Sequence, residues 1–217
     1  MTGDPVRLAA GDPELQPLAA GRVTLVIDGD PVEVELQVPS GPVALEDVLP
    51  VFQGLSNLFV ARAVARAEGE GRAVSCRAGC GACCRQLVPV SDTEARALAS
   101  LVEAMPEPRR TQIRARFDAA IEALTPSGVL ERVAVEHETR AQVGMDYFRQ
   151  GVACPFLEEG ACSIHPDRPL VCREYLVTSP AENCSAPSAE TIEMVRLASQ
   201  PSAALVKASG GWLPLVE

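Results

Sequence analysis

Eight cysteines gathered in two clusters constrain this chain more than any other feature. Cys76, Cys80, Cys83 and Cys84 share a stretch with Gly79 and Gly81, while Cys154, Cys162, Cys172 and Cys184 follow in a region rich in Pro and Gly. Thiols this dense serve either as disulfides or as soft ligands, and redox compartment and core size decide between the two. The opening MTGDPVRLAAGDPELQ carries acidic residues and prolines where a secretory signal needs basic residues and then an apolar run. Export by that route is not expected, the localisation reads as cytoplasmic, and cytosolic thiols stay reduced. With 217 residues, 47% of them hydrophobic, the chain can bury a core without covalent staples. The cysteines therefore read as ligands.

Charge narrows the partners. A net charge of −10 argues against nucleic acid, whose binders carry a basic footprint. No apolar run approaches the roughly 20 residues of a spanning helix, so the chain reads as soluble and no membrane partner is expected. Lys207 is the only lysine, and the skew to arginine reads as genome composition.

The pattern predicts a mostly α chain with an N-terminal β-hairpin, a small helical domain in which two Cys-rich loops converge on a metal site. Residues 1–21, without periodicity, are expected to be flexible and receive no role. Residues 22–71 form a hairpin plus helix extension. Arg22 to Val38 alternates apolar and polar around Asp28-Gly29-Asp30-Pro31. Leu45, Val48, Leu49, Phe52, Leu55 and Phe59 then recur at helical spacing until Gly69 and Gly71, with a bend expected at Pro50. Residues 72–186 form the cysteine-cluster domain. Within it Gln86 to Val90 reads as extended, and Ser91 with Glu94 forms a capping box ahead of Leu98, Leu101, Val102 and Met105. Ile113 to Leu124 marks a further helix with Arg109, Arg110, Arg114 and Arg116 turned to solvent, and another helix is expected from about Ser127 to Tyr147. Residues 187–217 are expected to pack on the core as helices, over Ser188 to Ser199 and Ser202 to Ala208, with a WLPLV tail.

Ligand geometry accounts for the spacing Cys76-x3-Cys80-x2-Cys83-Cys84. Cys80-Gly81-Ala82-Cys83 reads as a knuckle whose two thiolates converge on one metal while small residues relieve the backbone. Cys76 can join from the preceding turn. Vicinal Cys83 and Cys84 point apart in any regular backbone, so one of them would serve a second metal, or act as a bridging or redox thiol. Arg168 and Arg173, beside Cys172, are candidates to donate to sulfur or to offset the charge of a thiolate centre; ordinary surface pairing weighs equally. His165, among the cysteines, is a lesser candidate ligand, and His137 reads as solvent-facing. Only one CxxC knuckle is present, whereas a zinc ribbon shows two. The wide second set suits an iron–sulfur cluster at least as well as Zn2+, with a slight preference for the cluster.

CRAGCGACC at Cys76 to Cys84, CPFL at Cys154 to Leu157 and CSIHPDRPLVCREY at Cys162 to Tyr175, with a trailing Cys184, resemble the bacterial cysteine-cluster proteins of the YkgJ type, the CxxCxxCC family described as zinc- or iron-chelating domains. The resemblance covers about Ser75 to Cys184. It implies a chelating domain without an assigned biochemical role, and a related cysteine motif occurs in a bacterial flagellin lysine N-methylase.

Cys76-x3-Cys80-x2-Cys83 also has the spacing with which radical S-adenosylmethionine enzymes hold a cluster. The residues that follow are amphipathic helices rather than βα units, which counts against that reading. No Gly-rich loop after a strand offers a site for S-adenosylmethionine itself. Two classes remain: a metal-binding protein with a structural, carrier or partner-serving site, and an iron–sulfur redox or group-transfer enzyme component, for example in protein methylation. A partner protein fits either.

Overall fold

The computed structural model describes residues 4–12, 14, 16–133 and 140–216. Three strands open the chain, β1 (Val6–Ala9), β2 (Leu18–Ile27) and β3 (Asp30–Pro39). β2 and β3 are the expected hairpin, turning at Asp28 and Gly29 with φ of 53° and 91°. Two consecutive positive φ values give the turn a twist that matches the strands it joins. β1 runs parallel to β3, with Val6 opposite Val34 and Leu8 opposite Leu36. For Val6–Ala9 this corrects the expectation that residues 1–21 are flexible. Leu8 and Ala10 are buried with Ile27, Val32, Val34 and Val51, so the segment contributes to a core. Its pairing partner lies far along the chain, and four residues are too short to show a period.

The sheet rests on α1 (Leu45–Gly69), which is continuous across Pro50. A Cβ at Gly54 would collide with the Leu8 side chain, so the absent side chain lets β1 approach the helix. α1 also corrects the expectation about apolar length. It is long and apolar enough to cross a membrane by length and composition, because no charged residue lies between Asp47 and Arg62. In the fold it packs against β1 and β3 and against three helices described below.

β4 (Pro89–Ser91) leads directly into α2 (Asp92–Glu103). The expected capping box is formed: Ser91 Oγ accepts Glu94 N–H at 3.2 Å, and the Glu94 carboxylate accepts Ser91 N–H at 3.0 Å. α3 (Arg109–Leu124) follows. Its arginines are not simply solvated. Arg109 and Arg116 both pair with Glu158, Arg110 with Glu107, and Arg114 with Glu103. Where one helix was expected from Ser127, the described residues hold α4 (Val129–Val133) and α5 (Arg140–Arg149). The stretch between them, with His137, lies outside the described residues.

The second cysteine region contains a two-residue ladder, β5 (Leu157–Glu158) with β6 (Ala161–Cys162), and then α6 (Leu170–Glu174). Ser188 to Ser199 is not the expected helix. Thr178 N–H bonds to Glu193 O and Val195 N–H to Leu176 O, both at 2.9 Å, and Val177 bridges Met194. Pairing with a distant segment overrides a weak local helical preference. α7 (Pro201–Ser209) matches expectation, and the tail becomes β7 (Trp212–Pro214), antiparallel to β4. α2, α6 and α7 are the helices that contact α1. Val90, Leu98, Val102, Ile113, Phe156 and Ile164 form the core beneath the cysteine loops.

Candidate metal centre

The two cysteine clusters meet. Cys154 N–H donates to Cys84 O at 2.7 Å, fastening the second region to the first. A Cβ on Gly81 would collide with the Gly160 carbonyl and the Leu157 side chain, so the Cys80-to-Cys83 knuckle can lie against the β5–β6 turn only with glycine at that position. α3 holds the other side of this turn through Arg109 and Arg116 on Glu158, and Phe117 packs edge-on against Phe156 with centroids 5.3 Å apart.

A cavity of about 110 Å³ lies at this junction. Cys80, Cys83, Cys84, Cys154, Cys162 and Cys172 line it, together with His165, Arg168 and Tyr175. Cys76 and Cys184 do not. Cys83 and Cys84 share the cavity because residues 81–86 are turns, with Cys84 N–H on Gly81 O and Gln86 N–H on Cys83 O, both at 3.0 Å. The expectation that adjacent side chains diverge holds for regular backbone and does not apply to this turn. All eight cysteines are free thiols. Among the described residues, no three His, Cys, Asp or Glu groups stand close enough together to hold a metal ion as they are placed. The thiols line the walls instead of converging on one point.

Two forces act on these sulfurs in opposite directions. Burial pushes the Cys154 thiol up to about 11 and raises Cys76, Cys162 and Cys172 as well; nearby thiols add to the rise. The first cause for Cys83 is its contact with Cys84, followed by burial. Backbone N–H groups pull the other way: Phe156 N–H acts on Cys154, Ile164 N–H on Cys162, and Val177 N–H on Cys76 at 3.4 Å. Donors aimed at sulfur favour the thiolate, as they do around metal-bound sulfur.

Arg168 is the positive charge of the site. It favours the thiolate at Cys76, Cys83, Cys162 and Cys172. Its Nε is buried without a hydrogen-bond partner, and one terminal nitrogen meets His165 Nε2 at 2.9 Å. Arg can only donate, so Nε2 accepts and is taken up by that bond. Burial, then Arg168 and Arg173, hold His165 below its ordinary range. Arg173, the other arginine considered for the site, is buried and lies next to Cys172 in the sequence. It lies outside the cavity wall and donates to Arg168 O at 3.0 Å, to Pro166 O, and to Asn57 Oδ1 at 3.4 Å, so it shapes the loop that carries Arg168.

Glu94, which sequence reasoning placed only in a helix cap, also belongs to the site's support. Its second carboxylate oxygen accepts Leu170 N–H at 2.7 Å, fixing the start of α6, two residues before Cys172. No local signal announces that contact, because its partners lie on separate elements.

The donor set fits a soft metal: six thiols, backbone donors to sulfur, an unpartnered guanidinium nitrogen, and room for several waters at about 30 Å³ each. No curated protein and no solved structure matches the chain. A family model described as "Putative zinc- or iron-chelating domain" matches residues 75–193, more than half of the 217. That interval contains every cysteine and the whole cavity wall except Leu215, and the chain belongs to the CxxCxxCC family.

Proposed function

We propose that the chain is a thiolate-chelating module that holds iron as an iron–sulfur cluster, in a carrier or partner-serving role within a reducing, cytoplasmic setting. The observation that carries this reading is the common cavity, where six thiols from three separate segments face one space. Cys80, Cys83, Cys84, Cys154, Cys162 and Cys172 would hold the group, and bound iron would supply electron-transfer or sulfur-transfer chemistry. Arg168 offsets the negative charge that assembled thiolates bring. The Phe156 and Ile164 amides favour the thiolate at Cys154 and Cys162 against the burial that opposes it, and Leu87, Val88, Phe156, Ile164 and Leu215 limit the water that reaches them.

The wall favours chelation over catalysis. It contains no carboxylate, and the Nε2 acceptor of its one histidine is already engaged. More than four sulfurs around a space larger than one ion favour a cluster over a closed tetrahedral zinc. Purification without oxygen, followed by assay of iron, zinc and acid-labile sulfide and a visible spectrum, tests this. Iron with sulfide and a brown chromophore is the expected result. Colourless protein with zinc overturns the cluster assignment, and metal-free protein overturns chelation.

A further inference from the structure

The N-terminal sheet precedes the cysteine loops, and one of its edges is open. Its strand order is β1-β3-β2, which leaves β2 on the outside among the described residues. Ser40 N–H bonds to Pro17 O at 3.0 Å, so positions 17 and 40 are a hydrogen-bonded pair at the end of the β2–β3 ladder. Such pairs alternate along an antiparallel ladder. Ala19, Gly21, Val23, Leu25 and Ile27 therefore turn their N–H and C=O groups to β3, and Leu18, Ala20, Arg22, Thr24 and Val26 turn theirs to the open edge. Pro31 and Pro39, opposite Val26 and Leu18, agree with this phase, because neither has an N–H to give β2.

A long edge strand is ordinarily guarded by proline, lysine, a bulge or a covering element. β2 has no proline and no lysine, and its register with β3 runs unbroken from Leu18 to Ile27. Its inner face is covered at one end: Ile27 is buried, whereas Val23 is 40% exposed although Val34 opposite it is fully buried. The helix beneath the sheet, α1, packs against β1 and β3. On the outer face Val26 is 72% exposed.

We propose that β2 pairs antiparallel with β2 of a second copy of this chain, about a two-fold axis through Val23, so that the two sheets become one. The residues whose N–H and C=O groups face the open edge then bond to one another, Ala20 with Val26 of the second copy and Arg22 with its Thr24. Val23 meets its own mate in a non-hydrogen-bonded pair, where side chains approach most closely. Large residues fall opposite small ones, Leu25 on Gly21 and Val26 on Ala20, and the exposed Val26 is covered. Charge selects this register. Glu33 accepts the Thr24 hydroxyl and has no ion pair among the described residues. Arg22, bound to Glu35 at 2.6 Å in its own chain, comes within about 10 Å, Cα to Cα, of Glu33 in the second copy, a span the two side chains can bridge. Moving the axis to Arg22 would instead set that arginine against its own mate, and like charges directly opposite are destabilising.

The test is sedimentation equilibrium of the reduced full chain, purified without oxygen, over a series of concentrations. Circular dichroism checks that each variant is folded. A concentration-dependent dimer is expected for the wild type. Thr24→Pro takes an N–H from the open edge and none from the β2–β3 ladder, so it should weaken the dimer tenfold or more. Arg22→Glu and Glu33→Arg should each weaken it as well, by setting like charges together. An equimolar mixture of these two variants should associate again, because opposite charges then face each other at both contacts. A wild type that stays monomeric at every concentration, leaving the edge to a strand of another protein, overturns the proposal. So does a dimer that none of the three substitutions weakens. A mixture that fails to associate overturns the Arg22–Glu33 contact and with it the register.

Discussion

The amide of Cys154 donates to the carbonyl oxygen of Cys84 across a 2.7 Å hydrogen bond. That bond joins regions seventy residues apart, and the thiols of both regions line the cavity beside it. Close approach of the two loops depends on Gly81. Gly81→Ala is expected to destabilise the metal-free protein by about 1–3 kcal/mol, because backbone must move to admit the methyl group. Gly144→Ala, in α5, meets nothing within 4 Å and should stabilise by about 0.5–1 kcal/mol. Denaturant unfolding of the two variants separates these signs.

Glu94 connects α2 to α6. Glu94→Ala leaves the Leu170 amide and the Ser91 donors without their acceptor, at about 1–3 kcal/mol for each buried group. Glu94→Gln keeps one acceptor oxygen and should lose less. Equal stability of both variants and the wild type would show that the contact contributes nothing.

Phe156 and Glu158 hold the same turn by different means. Phe156, 1% exposed, fills the core, and Phe156→Ala should cost about 3–5 kcal/mol. The Glu158 pairs with Arg109 and Arg116 are partly solvated, so Glu158→Ala should cost no more than about 1 kcal/mol. A reversed order in thermal unfolding would contradict the packing described.

Arg168 and Arg173 should separate in function. With iron bound, Arg168→Met removes the charge that offsets the thiolates, so reduction becomes harder and the potential moves negative. Arg173→Met should lower stability and shift the potential less, because its guanidinium serves backbone carbonyls. Potentiometric titration of both variants decides; an equal shift would mean that Arg173 also acts on the centre.

Metal uptake should depend on pH. Burial keeps Cys154, Cys162 and Cys76 above the ordinary thiol value, so these groups are protonated at neutral pH and each must lose its proton to bind metal. The folded-state values lie above the ordinary one, so protons compete at every lower pH. Apparent affinity should rise about tenfold per pH unit for each proton released. Affinity measured by competition with a chelator would reveal a flat profile if the thiols were already ionised.

Local chemistry made part of this architecture readable. Asp28-Gly29 announced the hairpin and Ser91 with Glu94 the start of α2, while CGAC announced a tight local backbone but not the β5–β6 turn against which Gly81 lies. What escaped was set by partners distant in sequence: β1 on β3, the extended Glu193 to Val195 strip beside Leu176 to Thr178, and the Leu170 amide on Glu94. In the centre itself, residue type identified all eight thiols as candidates. It could not show that six of them line one cavity, or that Arg168 faces the sulfurs while Arg173 turns to the backbone.

The most direct measurement is bound metal per chain in Cys80→Ser and Cys172→Ser beside the wild type, all prepared without oxygen, with thermal stability recorded on the same samples. If loops distant in sequence hold metal together, both variants lose metal and melt at lower temperature. Unchanged metal content and unchanged stability in both would contradict the account.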